Sequence, residues 1–273
     1  TISGDYIKAE APAGRMGQIL YAVAVKRPGG FDFRAPTAED EAAVRAAEAE
    51  LARKKPEWIA KDLIPTEPFP EGNDNRPLIY GMATWSDFFS PRQLVAMATY
   101  MEEMRKVETE IRKKHQATKA EAIIAYLGVI LDKAPNYSSY LASWHAPRGV
   151  MRSVFDRHDF SFKWTYGEFD GAGNLLPWSV DQVVDAYKGI AELVAPSQLS
   201  LVTVGGRKAT ESLDIRKGSA TDLSTVLNES VYNITVDPPY YDNVQYPELA
   251  GFFYVCLKRS VGHLFPEIFT DEL

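Results

Sequence analysis

The fold expected for this chain depends on the stretch Tyr232-Asn233-Ile234-Thr235-Val236-Asp237-Pro238-Pro239-Tyr240. Its first five residues predict a β-strand, because aromatic and β-branched residues are enriched in strands. A turn follows at Asp237-Pro238-Pro239-Tyr240, where two consecutive prolines fix φ. Pro247 then opens a helix, whose inward positions are Leu249, Phe252, Phe253, Cys256 and Leu257. The segment therefore predicts a strand, a rigid turn and a helix in succession.

The residues before this stretch continue the same alternation of helices and strands. Leu199 to Val204 predicts a buried strand closed by Gly205-Gly206. A helix is expected before it, capped by Ser179 with Gln182 at the capping-box position. Helix, strand, strand, loop and helix in this order indicate a mostly parallel sheet. The expected fold class is α/β.

The first 177 residues are expected to be mainly helical. Thr37 can cap a surface helix, and a short strand is predicted over Leu20 to Val25. Ser90-Pro91-Arg92-Gln93 is a strong helix start, with a capping serine, a proline at the first position and Gln at the capping-box position. A second helix beginning near Thr118 is expected to form a helical hairpin with the first.

The composition indicates a globular protein of the cytoplasm. The chain has 273 residues, of which 45% are apolar and 25% charged, and no run approaches the roughly 18 apolar residues of a membrane span. Its single cysteine, Cys256, excludes an internal disulfide. A formal net charge of -7 neither supports nor excludes DNA, because basic patches on an acidic protein can contact phosphates. The chain starts at Thr1 rather than Met and is interpreted as an excerpt of a longer protein.

The histidines do not predict a metal site. His115, His145, His158 and His263 show no metal-ligand spacing. Glu168, by contrast, is a candidate acceptor for a ribose or a base, with an exposed carboxylate as the alternative. A segment rich in aromatic and basic residues, from Trp144 to Trp164, is a candidate for target recognition because stacking rings and guanidinium donors contact bases and phosphates.

The tetrad at residues 237 to 240 carries groups suited to binding an amino group on a base. Adenine N6 is a poor nucleophile, because its lone pair is delocalised into the ring. The Asp237 carboxylate and the Pro238 carbonyl are two acceptors that can localise this pair. The ring of Tyr240 or Tyr241 can stack on a base extruded from the duplex. An ordinary loop turn with a capping aspartate is the alternative.

The same tetrad resembles the motif IV of adenine-N6 and cytosine-N4 DNA methyltransferases. Gly218 to Leu223 resembles the motif-III loop that lies near the cofactor's adenine in that family. Further stretches narrow the resemblance to zinc-ribbon-containing adenine-specific DNA methylases, namely Ile7 to Glu10, Gly14 to Gly17, Tyr80 to Leu94, Phe160 to Glu168 and Asp237 to Leu264. The resemblance implies part of a Rossmann-like methyltransferase sheet with a helical insertion. The glycine-rich motif I and the zinc-ribbon cysteines would lie upstream of Thr1.

The resemblance also implies roles for individual residues. Asp237, Pro238, Pro239 and Tyr240 would be catalytic, and Ser219, Ala220 and Asp237 would bind S-adenosylmethionine. Tyr240, Tyr241, Asn243 and Glu168 would bind the DNA substrate. Residues 1 to 177 would form a mainly helical insertion and target-recognition region, and residues 178 to 273 the motif III and IV part.

The activity expected is direct methyl transfer to a flipped adenine in DNA, in a setting such as restriction-modification. Cytosine N4, or an amino group in RNA or protein, is an alternative target, because the same residues can serve other planar nitrogens. A non-catalytic DNA-binding component is the alternative from another class. The sequence leaves the oligomeric state and the recognition sequence open.

Overall fold

The computed structural model describes residues 2–72, 74–193, 203–204, 207–208, 218–241 and 243–270. The chain divides into two compact units, one made of Thr1–Val180 with Val244–Leu273 and the other of Asp181–Asn243. The functional boundary expected between residues 177 and 178 stays a prediction.

Helices make up most of the first unit, and none in the described ranges is long and apolar enough to cross a membrane. Short 3-10 turns lie at Trp85–Phe88 and Ala146–Arg148, and a π-turn lies at Gly171–Leu175. The α-helices, of which α6 continues past residue 180, are α1 (Gly4–Glu10), α2 (Ala38–Ala60), α3 (Arg76–Ile79), α4 (Pro91–Lys114), α5 (Ala117–Tyr137), α6 (Leu176–Leu193) and α7 (Tyr246–Val261).

Local chemistry sets the starts of the longest helices as predicted. In α4, the Gln93 N–H donates to the Ser90 hydroxyl at 3.3 Å, and the Ser90 N–H donates to the Gln93 side chain at 2.8 Å. Thr37 and Asp40 form the equivalent capping box at the start of α2. These reciprocal bonds satisfy N–H groups that the first helical turn leaves unpaired. The helices predicted from Thr37, Ser90, Thr118 and Pro247 are confirmed.

The start of α6 differs from its prediction. The helix begins at Leu176, and the hydroxyl of buried Ser179 donates to the Leu175 carbonyl at 2.8 Å. Asp170 instead caps the preceding π-turn, where its side chain accepts from the Gly173 N–H at 3.0 Å. The prediction that Ser179 caps this helix is wrong, because the turn beginning after Asp170 leads directly into α6.

Helices α4, α5 and α7 pack on one another, and α2 packs on α4. Their shared core is rich in aromatic rings, among them Trp85, Phe88, Phe160 and Phe252. Gly128 of α5 faces α7, where an added Cβ would lie 2.5 Å from Val261 Cγ1. The absence of a side chain at Gly128 therefore permits the two helices to approach closely.

The strands in the described part of the chain form three two-stranded antiparallel sheets. In the first unit, β1 (Val23–Arg27) pairs with β2 (Gly30–Arg34), and β3 (Ser143–His145) pairs with β4 (Val150–Arg152). In the second unit, β5 (Thr203–Val204) pairs with β6 (Arg207–Lys208). The predicted strand over Leu20 to Val25 thus begins only at Val23. Of the predicted strand at residues 199–204 only the last two residues are described, and Gly205-Gly206 lies outside the described residues.

The α/β fold class with a Rossmann-like sheet is wrong. Helix accounts for 51% of the structure and strand for 7%, and the strands described form no parallel sheet. The segment Tyr232 to Val236 is not a strand: Ile234 is 73% and Val236 is 71% exposed. A strand is stable only when neighbouring strands pair its backbone and cover its side chains, and none of the described strands pairs with this segment. The following helix, α7, packs on α5 and α4 instead of on a sheet.

Candidate nucleic-acid interface

The tetrad at residues 237 to 240 lies in an exposed, irregular segment of the second unit. Tyr240 is 65% exposed and Tyr241 is 94% exposed. The Asn243 N–H lies 3.5 Å from the Tyr240 carbonyl, at the outer limit of a hydrogen bond. These predicted catalytic and substrate-binding residues lie together because they are neighbours along the chain. Their acceptors and rings are accessible to a ligand from solvent.

The predicted cofactor residues Ser219 and Ala220 occupy an exposed turn of the same unit. The Ser219 hydroxyl lies 2.8 Å from the Thr221 hydroxyl and accepts from the Thr221 N–H at 3.2 Å. Cofactor sites are concave and enclose most of the ligand's surface. An exposed turn whose hydrogen bonds to described residues are all within itself does not form a concave site of this kind. As placed, Ser219 and Ala220 do not fit S-adenosylmethionine.

Glu168 lies in the first unit, where its carboxylate accepts three hydrogen bonds. Arg92 donates to it from Nε at 2.6 Å and from Nη2 at 2.9 Å, and the Ser90 hydroxyl donates at 3.0 Å. This bidentate geometry is the strongest arrangement of a carboxylate with arginine. Glu168 therefore ties the segment after Trp164 to the start of α4. Its role toward a base stays a prediction.

The first unit contains a large open groove of about 2430 Å³. The segment from Trp144 to Trp164, predicted to recognise the target, supplies part of its lining. Aromatic rings and cations line the groove beside aliphatic side chains and the carboxylates of Glu48, Asp87, Asp156, Glu168 and Asp170. The rings include Tyr21, Phe31, Phe33, Tyr80, Tyr140, Trp144, Phe162, Trp164 and Tyr166, and the cations are Lys26, Lys55, Arg92, Arg148 and Arg152.

One wall of this groove is built by two β-hairpins. The Phe31 and Phe33 rings of β2 meet the Trp144 ring of β3 edge-on, with centroids 5.1 and 5.7 Å apart. Gly149, with φ of +60°, closes the turn between β3 and β4 in a conformation that glycine adopts without strain. Edge-to-face packing of these rings joins the hairpins.

The cations of the groove differ in how they are paired. Arg92 is bound to Glu168, and Arg152 donates to Asp156 at 3.0 Å. Lys26, Lys55 and Arg148 form no ion pair with any residue that the structure describes. Lysine and arginine side chains without a carboxylate partner are the groups that contact phosphates. These three cations are therefore the candidate phosphate ligands of the groove.

Two tyrosine hydroxyls face each other at the groove, with a glutamine amide between them. Gln18 Nε2 donates to the Tyr140 hydroxyl, and the Tyr166 hydroxyl donates to Gln18 Oε1 at 2.7 Å. The two tyrosine rings meet edge-on with centroids 4.8 Å apart. Burial raises the pKa of Tyr166 to about 12 and also raises that of Tyr140, so both hydroxyls keep their protons at neutral pH.

Sequence reasoning missed this arrangement. Tyr166 lies in the stretch Phe160 to Glu168 that carries the family resemblance, but Gln18 and Tyr140 belong to no predicted site. Gln18 is 122 residues from Tyr140 and 148 residues from Tyr166 in sequence. No local motif connects positions so far apart.

Aromatic rings, several of them exposed, and three cations without an ion pair among the described residues define a candidate nucleic-acid interface in the first unit. The acceptor-rich loop at residues 237–241 is a separate candidate in the second unit. The chain matches no protein-family model, no curated protein and no solved structure.

Proposed function

We propose that this chain supplies the target-recognition and amino-group-binding part of a DNA amino-methyltransferase, with adenine N6 as the preferred target. The observation that carries the proposal is the exposed tetrad Asp237-Pro238-Pro239-Tyr240 in the second unit. Its sequence resembles motif IV of such enzymes, and its acceptors and rings are accessible to an extruded base. A cytoplasmic location, where DNA and S-adenosylmethionine are both available, is part of this proposal.

The chemistry of the proposal lies in two acceptors and a stacking ring. The Asp237 carboxylate and the Pro238 carbonyl each accept a hydrogen bond from one N–H of the amino group. These two hydrogen bonds draw the nitrogen toward a tetrahedral, nucleophilic form. Tyr240 or Tyr241 stacks on the face of the base and replaces the stacking lost on extrusion. Positioning of this kind can supply a large part of a rate enhancement. Because Ser219 and Ala220 do not fit the methyl donor as placed, the proposal concerns the target side of the reaction.

The groove of the first unit is the proposed DNA-contacting surface. Lys26, Lys55 and Arg148 would contact phosphates, and the exposed ring of Trp164 would stack on an unpaired base. Phosphate contacts of this kind release counterions, so binding should weaken as the salt concentration rises.

Replacement of Asp237 tests the proposal in the full-length protein. We expect Asp237→Ala to lower kcat/KM for methylation of adenine-containing DNA about 100-fold, the size of effect seen when a preorganised polar contact to the reacting group is lost. Asp237→Asn is the matched control, because its amide oxygen keeps an acceptor; we expect it to retain more activity than Asp237→Ala. Mass spectrometry of the product should show N6-methyladenine.

Other results would point elsewhere. Activity of Asp237→Ala within a few-fold of wild type would contradict the role given to this carboxylate. N4-methylcytosine as the product would favour the cytosine alternative. A protein that binds DNA but neither binds S-adenosylmethionine nor forms methylated product would be a non-catalytic component. The groove lies in the unit that lacks Asp237, which supports this alternative.

A further inference from the structure

The side chain of Gln18 is held in the groove by a pair of hydroxyls suited to a planar, polar edge. Its NH2 group donates to Tyr140, and its carbonyl oxygen accepts from Tyr166. The carboxamide thus presents an NH2 donor and an oxygen acceptor side by side, and the two tyrosine hydroxyls match them. Adenine presents the same pair of groups through its N6 amino group and N1, and cytosine presents it through its N4 amino group and N3.

Aromatic rings pack against the rings of these two tyrosines, and the ion pair of Arg92 with Glu168 acts electrostatically on both hydroxyls. Tyr140 meets Phe162 edge-on at 6.3 Å, and Phe162 stacks on Tyr80 at 5.0 Å with an interplanar angle of 24°. Trp164 meets both of those rings edge-on and is itself exposed. Flat rings beside a polar group suit a base, whose faces are apolar while its edge is polar.

The segment that delivers Gln18 is weakly attached elsewhere. Residues 16–22 make no backbone-to-backbone hydrogen bond within the described part of the chain, and Ile19 and Tyr21 are exposed. The hydroxyls of Tyr140 and Tyr166 therefore hold residues 16–22 in place where few other contacts do so. A ligand that satisfies both hydroxyls can replace the amide without unpairing any backbone group of this segment.

We propose that Tyr140 and Tyr166 form a binding site for the edge of an unpaired nucleobase bearing an exocyclic amino group, and that Gln18 occupies this site as an internal mimic until a base displaces it. Tyr140 accepts a hydrogen bond from the amino group, and Tyr166 donates one to the neighbouring ring nitrogen. The inference rests on the proposed role of the groove in DNA binding. It concerns the first unit and does not involve Asp237.

Fluorescence anisotropy with the full chain tests the site. The probe is a short, labelled single-stranded oligodeoxynucleotide in which one adenine is flanked by abasic residues. A second probe carries unsubstituted purine, which lacks the amino group, in place of the adenine. We expect Tyr140→Phe and Tyr166→Phe, each combined with Gln18→Ala so that no amide competes for the remaining hydroxyl, to bind the adenine probe about fivefold more weakly than Gln18→Ala alone, which corresponds to about 1 kcal/mol for one hydrogen bond. For wild type we expect the purine probe to bind more weakly than the adenine probe.

Gln18→Ala provides a test in the opposite direction. Removing the competing amide should strengthen binding of the adenine probe, by about fivefold or more. Tyr100→Phe is the matched control, because its hydroxyl donates to the Leu127 carbonyl at 3.1 Å and the residue does not line the groove. It should leave binding unchanged. Thermal melting of each variant checks that it folds.

The inference would be overturned by folded variants combining Tyr→Phe with Gln18→Ala that bind the adenine probe as Gln18→Ala does, or by weaker binding of Gln18→Ala than of wild type. Equal binding of the adenine and purine probes by wild type would also overturn it, as would a lack of binding by both wild type and Gln18→Ala. These outcomes are separable from failure of the proposed function. Phosphate-dependent DNA binding and methylation that depends on Asp237 can persist when the tyrosine hydroxyls have no effect.

Discussion

Asp132 of α5 is a half-buried aspartate whose Oδ1 atom is enclosed within the helical unit. Its Oδ1 atom has no hydrogen-bond partner among the residues described. Burial raises the pKa of this carboxyl from its ordinary value of 3.8 to about 7, because an ionised carboxylate is poorly solvated there. The Cys256 thiol of α7 is also buried; its pKa is raised to about 12, first by burial and then by the charge of Asp132. Ionisation of Asp132 therefore opposes folding.

The pH dependence of stability follows from the sign of this change. Below pH 3.8 Asp132 is protonated in both the folded and the unfolded chain, and its contribution to the free energy of unfolding is fully present. Between pH 3.8 and about 7 the unfolded chain ionises first, so this contribution falls. Above about pH 7 the loss is complete. We expect Asp132→Asn to be more stable than wild type at pH 8, by up to about 4 kcal/mol, and to gain much less at pH 4. Urea unfolding at several pH values measures this difference.

The control for this prediction is Asp181→Asn, which changes an exposed helical aspartate. It should leave the pH profile of stability unchanged. An Asp132→Asn variant whose advantage over wild type is the same at pH 4 and pH 8 would contradict the assignment.

At the scale of elements, the contact between α5 and α7 depends on a glycine. A Cβ at Gly128 would lie 2.5 Å from Val261 Cγ1 and 3.0 Å from Ser260 Oγ. Alanine is favoured over glycine in an isolated helix by about 1 kcal/mol. Val261 and Ser260 are both buried, so neither can move away freely. The overpacking cost, about 1–3 kcal/mol, is expected to exceed the gain in helix propensity.

Gly128→Ala is therefore predicted to destabilise the protein, by up to about 2 kcal/mol. Gly189→Ala is the matched control, since Gly189 lies within α6 and an added Cβ there meets no atom within 4 Å. This second substitution should stabilise, by about 0.5–1 kcal/mol. Denaturant unfolding of the two variants measures both values. Equal effects of the two substitutions would mean that α5 and α7 do not approach closely at Gly128.

At the scale of the whole chain, an aromatic cluster joins parts of the first unit that are distant in sequence. Phe252 of α7 stacks on Phe89 at 5.6 Å and meets Phe88, Phe155 and Trp85 edge-on. Its side chain is almost completely buried. Leu249, Phe252, Val255 and Cys256 of α7 are thereby part of the same core as residues before 180.

Phe252→Ala is predicted to lower the free energy of unfolding by about 3–5 kcal/mol, because it leaves a cavity among rings that cannot all collapse into it. Chemical denaturation monitored by tryptophan fluorescence gives the value, since Trp85 lies in the same cluster. Val107→Ala, on an exposed part of α4, is the control and should change stability little. A loss below about 1 kcal/mol for Phe252→Ala would contradict the packing of α7 on this core.

Features that depend on neighbouring residues could be predicted from the sequence. Ser90 and Gln93 cap each other across one turn, so the start of α4 is encoded within four residues. The apolar spacing in α7 likewise predicted a helix that the structure contains. The same local reasoning was wrong for Ser179, because the cap that matters is Asp170 of the preceding turn.

The sequence by itself determined helices α2, α4, α5 and α7, through caps and periodic apolar faces, and it placed the acceptors of Asp237 and Pro238 beside the ring of Tyr240. Only the tertiary structure decided that Tyr232 to Val236 is not a strand of a sheet, since a strand requires partners that no single segment specifies. It also decided that Gln18 meets Tyr140 and Tyr166. Contacts across 122 and 148 residues form only when the whole unit packs.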